Sequence, residues 1–178
     1  MSTFPSSRLS HAGVDSALFR RAMRTVPTGV AVITTVGLNG AYVGLTVNSI
    51  ASLSLTPPLI SWALKENSPS LADFQHSRAF VVNLLAAGQE ELSRRFSSPT
   101  ADRFEALEVT TSPSGLPRLP GCAASLECAI HSDIQAGDHI LLIGMVHDVQ
   151  VHDIPALGYC SGRYFQAAIS TDTVFLQP

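Results

Sequence analysis

β-Forming runs follow one another from Val30 to Cys160, separated by turn signals and short helices, and nowhere do strand and helix alternate as βαβ. Val30-Ala31-Val32-Ile33-Thr34-Thr35-Val36 is β-branched almost throughout, and Asn39-Gly40 after it is a hairpin signal. Ala41 to Leu55 reads as one extended stretch rich in small residues and hydroxyls, broken by Thr56-Pro57-Pro58 before a strand at Leu59–Leu64. Ala79–Leu85 is a strongly apolar strand. Two long strands, about Gly121–His131 and Asp138–His152, are joined by a turn at Asp133–Gly137, and a last strand covers Ala156–Cys160. The helices are few. Asp15 or Ser16 caps one whose apolar positions Leu18, Phe19, Ala22, Met23 and Val26 share a face until Pro27 ends it. Ser68-Pro69-Ser70 opens a second, with a hydroxyl cap and proline at its first position. Gln89–Phe96 forms a third, and a long loop runs from Thr100 to Pro120. Neighbouring strands joined by hairpins predict a mainly β chain, an antiparallel barrel with short helices. No GxGxxG follows a strand, which argues against a Rossmann domain.

The chain has 178 residues, enough for one domain with a sizeable core, and no linker or repeat divides it. We expect a loose arm over residues 1–14 and a single domain over 15–178. Net charge is −3, so no basic field exists to hold nucleic acid. Charged residues are only 14% of the chain, where soluble domains average roughly 25%. So thinly charged a surface suggests that a second copy covers part of it. No apolar run reaches the ~20 residues of a membrane span, and the polar start is not a secretory signal. Cys122, Cys128 and Cys160 make neither a CxxC pair nor an even disulfide framework, which places the chain in the reducing cytoplasm with three small buried thiols. His131, His139, His147 and His152 lie at spacings unsuited to a metal site, so no metal is expected.

Three segments could carry chemistry. Gly44–Ser54 places polar side chains at Thr46, Asn48, Ser49, Ser52 and Ser54, hence on both faces of a strand. A bound polyfunctional ring would satisfy them; so would water, were this an exposed edge strand. Lys65-Glu66-Asn67-Ser68-Pro69-Ser70 sets a lysine before a helix start that carries two hydroxyls. This is either a phosphate cradle or an ordinary capped helix. Gly137-Asp138-His139 sits in a turn where a histidine could contact a nicotinamide or simply bond locally.

Together these segments resemble the flavin reductase-like family, which supplies reduced flavin to two-component monooxygenases. The likeness runs from about residue 18 to 165. It rests on Pro27–Thr34, Gly44–Ser54 with Pro57-Pro58-Leu59, Phe80–Leu85, Arg95-Phe96, Gly137-Asp138-His139 with Gly144, and Tyr159–Tyr164. The resemblance implies an FMN-binding split β-barrel of Greek-key type, a homodimer, and an NAD(P)H-dependent flavin reductase. FMN or FAD would be its cofactor, NADH or NADPH its co-substrate, and a monooxygenase the recipient of reduced flavin. It implies that Thr46, Val47, Asn48 and Ser49 line the isoalloxazine. Thr28, Ser52, Lys65, Ser68 and Ser70 would follow the ribityl chain and phosphate, with Asn83, Arg95 and Phe96 supporting that wall. His139, Tyr159, Arg163 and Tyr164 would border the nicotinamide. No catalytic acid or base is implied, because the flavin carries the hydride chemistry. Ile50 stands where many relatives have a bulky aromatic, and Arg163 and Phe165 are not family hallmarks.

Two other functions fit a similar barrel. One is a non-enzymatic FMN electron carrier. The other is an oxidase of a small amine or phosphorylated vitamin, which would want a cluster of basic residues that this chain lacks.

Overall fold

The computed structural model describes residues 13–99 and 102–167; most of the expected arm lies outside them. Helix α1 spans Ser16–Met23, with the Asp15 carboxylate accepting the Leu18 N–H at 2.7 Å as its N-cap. Strands β1 (Thr28–Gly29), β2 (Ala31–Val36), β3 (Tyr42–Val47), β4 (Ala51–Leu55) and β5 (Pro58–Lys65) follow. Then come α2 (Leu71–Ser77), β6 (Ala79–Leu84), α3 (Glu90–Ser97) and a small hairpin of β7 (Thr110–Thr111) and β8 (Pro117–Arg118). The long strands β9 (Ala124–Ala136) and β10 (His139–Val151), with β11 (Leu157–Cys160) and β12 (Arg163–Gln166), complete the order.

Every strand pair is antiparallel, as hairpin connections demand. The main sheet has seven strands in the order β3-β2-β6-β9-β10-β5-β4, and β1-β11-β12 form a second sheet. Strands β3 and β4 are therefore opposite edges of one sheet, yet only Asn48, Ser49 and Ile50 separate them in the chain. Three residues bridge at most about 14 Å between the flanking Cα atoms. The sheet must curl until its edges meet, and the β3–β4 seam closes by covalent linkage without a hydrogen-bonded ladder. This is a barrel split along one seam.

Alternation along the strands builds two cores. On β2, Ala31 and Ile33 face the barrel interior with Trp62, Phe74, Phe80, Cys128 and Leu142. The Trp62 ring meets Phe74 at 5.1 Å and Phe80 at 5.6 Å, both edge to face. Val30 and Val32 face the other way, into a cluster with Leu85, Phe96, Leu119 and Leu157. That second cluster ties α3 and the small sheet to the outside of the barrel.

The Asn39-Gly40 turn forms as expected, with Gly40 at φ +79° and Asn39 Oδ1 accepting the Ala41 N–H at 3.0 Å. Four expectations change. The stretch Ala41–Leu55 is two strands on opposite edges. Helix α2 starts at Leu71 with Ser70 as N-cap, so Pro69 precedes the helix, and Ser70 makes no side-chain cap bond. The β9–β10 turn is Gly137-Asp138, since the residues before it remain in strand. Cys160 is only half-buried, whereas burial pushes the Cys122 and Cys128 thiols up to about 12.

Asn83 is a further correction. It is fully buried on β6, donates Nδ2 to the Val32 carbonyl and to Thr34 Oγ1 at 3.0 Å each, and accepts the Leu119 N–H at 2.8 Å. It fastens the 117–122 segment to the sheet rather than facing a ligand. Asn83→Ala should lower stability by about 2–4 kcal/mol, because it strands a buried N–H and a buried carbonyl. The urea midpoint will show it.

Candidate functional site

The split seam leaves backbone uncommitted. Asn48, Ser49 and Ile50 lie outside both ladders, so sheet pairing does not use their N–H and C=O groups. The register Ala51↔Ser61 would set Ser49 opposite Ala63. There the side chain does what backbone would do: Ser49 Oγ accepts the Ala63 N–H at 3.0 Å and donates to the Ala63 carbonyl at 3.4 Å. The Ser49 hydroxyl thus ends the β4–β5 ladder, and the Ser49 main chain stays out of it at a residue that lines the cleft.

That cleft has a volume of about 570 Å³. Thr46, Val47, Asn48 and Ser49 form one side; Ala63–Lys65 and Asn67–Ser70 form another; Phe96, Ser97, Arg103 and His139 complete it. Among the described residues no aspartate or glutamate lines it, in a chain whose net charge is −3. Its cations are held without carboxylate partners among the described residues. Arg103 donates Nη1 to the Gly44 carbonyl at 2.7 Å, and Nε and Nη2 to the Ser98 carbonyl at 3.0 and 2.7 Å. Three hydrogen bonds to two carbonyls fix the guanidinium, and a neutral carbonyl leaves its charge in place. Ser68 Oγ accepts the Ser70 N–H at 3.3 Å, which draws the two serines into one turn beside Lys65. Such a place suits a phosphate.

His139 starts β10 directly opposite Lys65 on β5. Its Nδ1 lies 2.8 Å from Asp138 Oδ1, and that hydrogen bond, with the imidazole's charge and more weakly Lys65, holds the exposed Asp138 carboxyl below its ordinary value. A carboxylate acceptor keeps the proton on Nδ1 and leaves Nε2 available to another partner.

A smaller chamber of about 230 Å³ adjoins the cleft, sharing Thr46, Val47, Asn48 and Ser97. Tyr159 and Tyr164 wall it, their rings 5.3 Å apart. Tyr164 Oη bonds Ser93 Oγ at 2.9 Å, and the Ser93 carbonyl accepts the Thr46 hydroxyl at 2.7 Å. The tyrosines therefore brace the β3 wall through α3. Arg94 stacks over Tyr164 at 5.0 Å.

Of the expected site residues, the structure gathers Thr46, Val47, Asn48, Ser49, Lys65, Ser68, Ser70, Phe96 and His139 around the cleft. Tyr159 and Tyr164 line the chamber next to it. Thr28 donates to the Tyr159 carbonyl at 3.3 Å and borders a third recess under α1. Four residues stand apart. Ser52 is exposed on β4, Arg163 is exposed on β12, Arg95 reaches the Glu105 carbonyl, and Asn83 is in the interior. Arg103, Asn67, Ser93 and Ser97 were not expected. Arg103 comes from the irregular 100–120 segment, where no periodicity marks a position.

A model of the flavin reductase-like domain matches residues 23–168. The FMN reductase (NADH) SmoA of Agrobacterium fabrum is 34% identical over 152 residues, 85% of this chain and 86% of its own. The reductase component of flavin-dependent trigonelline monooxygenase from Acinetobacter baylyi is 36% identical over 155 residues. That match takes in 87% of this chain but 50% of the relative, so the chain spans about half that protein's length. Among solved structures, the Streptomyces globisporus NADH:FAD oxidoreductase SgcE6, in complex with NAD and FAD fragments, superposes with a TM-score of 0.82. It is 31% identical, and the match covers 89% of this chain and 96% of that one.

Ser49→Ala should unpin the end of β5. The Ala63 amide should then exchange with deuterium at least about fivefold faster, the equivalent of ~1 kcal/mol of lost hydrogen bonding. Unchanged protection at Ala63 would show that the seam is held some other way.

Proposed function

The chain belongs to the flavin reductase-like family, and from that premise we propose that it is an NAD(P)H:flavin oxidoreductase that reduces FMN or FAD and delivers reduced flavin to a partner monooxygenase. One observation carries the reading: a cleft with uncommitted backbone at one end and, among the described residues, two cations without an ion-pair partner at the other and no carboxylate in its lining. This is the polarity of a flavin nucleotide, whose ring edge needs hydrogen-bond donors and whose phosphate needs cations.

The residues fit that group. The main chain from Val47 to Ile50 would donate to the pyrimidine edge, with the Asn48 amide beside it. Lys65, Ser68, Ser70 and Arg103 would hold the phosphate. Phe96 would close the apolar wall. A bound flavin supplies the electron chemistry, accepting hydride from the nicotinamide. The protein's task is to hold two ring systems stacked about 3–3.5 Å apart and to exclude other geometries. His139 Nε2, turned away from the Asp138 contact, would hydrogen-bond the nicotinamide carboxamide and hold that ring at the lip. Thr46, braced by Ser93 and Tyr164, keeps the opposite wall fixed. No proton need be removed, so no nucleophile–base pair is required.

The partner proposal is supported by relatives named as reductase components, among them that of trigonelline monooxygenase. The homodimer proposal is supported by α1, which has no buried residue although Leu18, Phe19 and Met23 are 62%, 58% and 52% exposed. Such a face is covered most simply by a second copy. The cytoplasm is the proposed setting, where three free cysteines stay reduced.

Purified protein should consume NADH or NADPH only when FMN or FAD is added, followed at the nicotinamide absorbance band. Consumption only through an added electron-transfer protein would indicate a carrier instead. The flavin should leave on denaturation, since no described thiol lines the cleft. His139→Ala should raise KM for NADH and lower kcat/KM about 5–30-fold, the worth of one ~1–2 kcal/mol contact. A fall of many decades would mean that His139 moves a proton. In light scattering the protein should run at twice 18.9 kDa at micromolar concentration; a species at the monomer mass alone would remove the dimer.

A further inference from the structure

The cleft does not end at its cations. Past Ser70 and Arg103, both of which it shares, a second cavity of about 440 Å³ opens between β3, the start of α2 and the segment after Asp102. Each cavity falls within the roughly 300–1,000 Å³ usual for ligand pockets. Its walls differ in kind from those of the cleft. Tyr42 and Phe104 supply aromatic surface, their rings 5.6 Å apart at 61°. Phe104 continues edge to face onto Phe96, at 5.0 Å, so one aromatic ladder runs from the second cavity into the first. The glycine at position 44 permits this: a Cβ there would lie 2.6 Å from Phe96 and 3.1 Å from Phe104. Asp73 and Asp102 bring carboxylates, which the described lining of the cleft lacks. Asp73 Oδ1 accepts the Leu38 N–H at 3.1 Å, and Asp102 Oδ1 accepts the Phe104 N–H at 3.0 Å, so both acids are oriented.

We propose that this cavity, joined to the flavin cleft at Ser70 and Arg103, is an adenosine subsite that makes the protein select FAD over FMN. The assignment rests on the flavin reading of the cleft. Its order of chemistry follows a dinucleotide outward: cations and hydroxyls for the diphosphate, carboxylates for neutral ribose hydroxyls, and an aromatic face for the purine. Carboxylates hydrogen-bond a diol well but repel a second phosphate, which excludes a further free anion as the occupant. FMN would stop at Arg103 and leave the second cavity to water.

Dissociation constants of FMN and FAD, read from quenching of the single tryptophan, Trp62, test the assignment. The wild-type protein should bind FAD at least about tenfold tighter than FMN, the usual worth of one base stacked on an aromatic ring. Tyr42→Ala and Asp73→Asn should each move the FAD/FMN affinity ratio toward one. Equal binding of both flavins by the wild type, or a ratio that neither substitution changes, overturns the subsite and leaves the flavin cleft standing. Binding of neither flavin overturns the cleft reading with it. If Tyr42→Ala instead raises KM for NADH, with FMN as acceptor, and spares the ratio, the cavity belongs to the nicotinamide dinucleotide and the proposal fails. Circular dichroism spectra of both variants, matched to the wild type, would tie a lost ratio to the subsite; a variant that fails to fold is replaced by Tyr42→Ser or Asp102→Asn, held to the same ratio.

Discussion

Three residues between two opposite sheet edges determine most of what this protein can do. Because Asn48, Ser49 and Ile50 must span from β3 to β4, the seven-stranded sheet has to curl. Because they are too few to make a ladder, the closure remains split. A closed barrel would use its backbone donors in pairing, and an open sheet would give them to water. The split seam does neither. It keeps main-chain groups at a defined place beside an apolar wall, where a ligand can compete for them. The Ser49 hydroxyl makes this affordable by ending the β5 ladder with a side chain.

Local chemistry was readable, and long-range chemistry was not. Val30–Val36 with Asn39-Gly40 reads correctly because β-branching and turn dihedrals act within a few residues. The β3–β4 break does not, since 48–50 contains no glycine or proline and its polar residues continue the pattern of a strand. Asn83 is placed by the resemblance in the wall along the ribityl chain and phosphate, and nothing local in its strand says otherwise. Its true partner, the Leu119 N–H, is 36 residues away in sequence, inside a segment with no periodicity. Arg103 hides there too: its carbonyl partners Gly44 and Ser98 belong to different elements. Lys65, Ser68 and Ser70 were legible as a group because they are neighbours in the chain, although the helix behind them begins later than its serines suggest.

Charge placement then separates the ends of the site. With a net charge of −3 overall, acids have been kept from the cleft and set just outside it, at Asp73, Asp102 and Asp138. Each accepts a hydrogen bond that orients it, Asp73 from the Leu38 N–H, Asp102 from the Phe104 N–H and Asp138 from His139. Asp138 acts through His139, fixing the tautomer from outside. The low-dielectric wall made by Phe96 would strengthen the hold of these cations on the proposed phosphate, since such attraction grows as water is excluded.

The positions that depart from the family pattern lie away from this machinery, and their packing explains why they are free to vary. Ile50 is part of the seam, but its half-buried side chain packs on the barrel core with Leu45 and Leu126 and does not line the cleft. What the seam offers a ligand there is main chain, and main chain is the same whatever the side chain. Phe165 lies against Gly158 across β11–β12, where a Cβ would come within 2.2 Å of its ring; the pair is a packing device of the small sheet. Arg163 points to solvent at the end of that sheet. On the proposed reading the ring end of the cleft would tolerate substitution, because backbone would supply its donors. In the proposed flavin complex the phosphate end would not, because Lys65, Ser68, Ser70 and Arg103 would each have to contribute a side chain. Selectivity among flavins can change only where side chains do the binding, at and beyond that end.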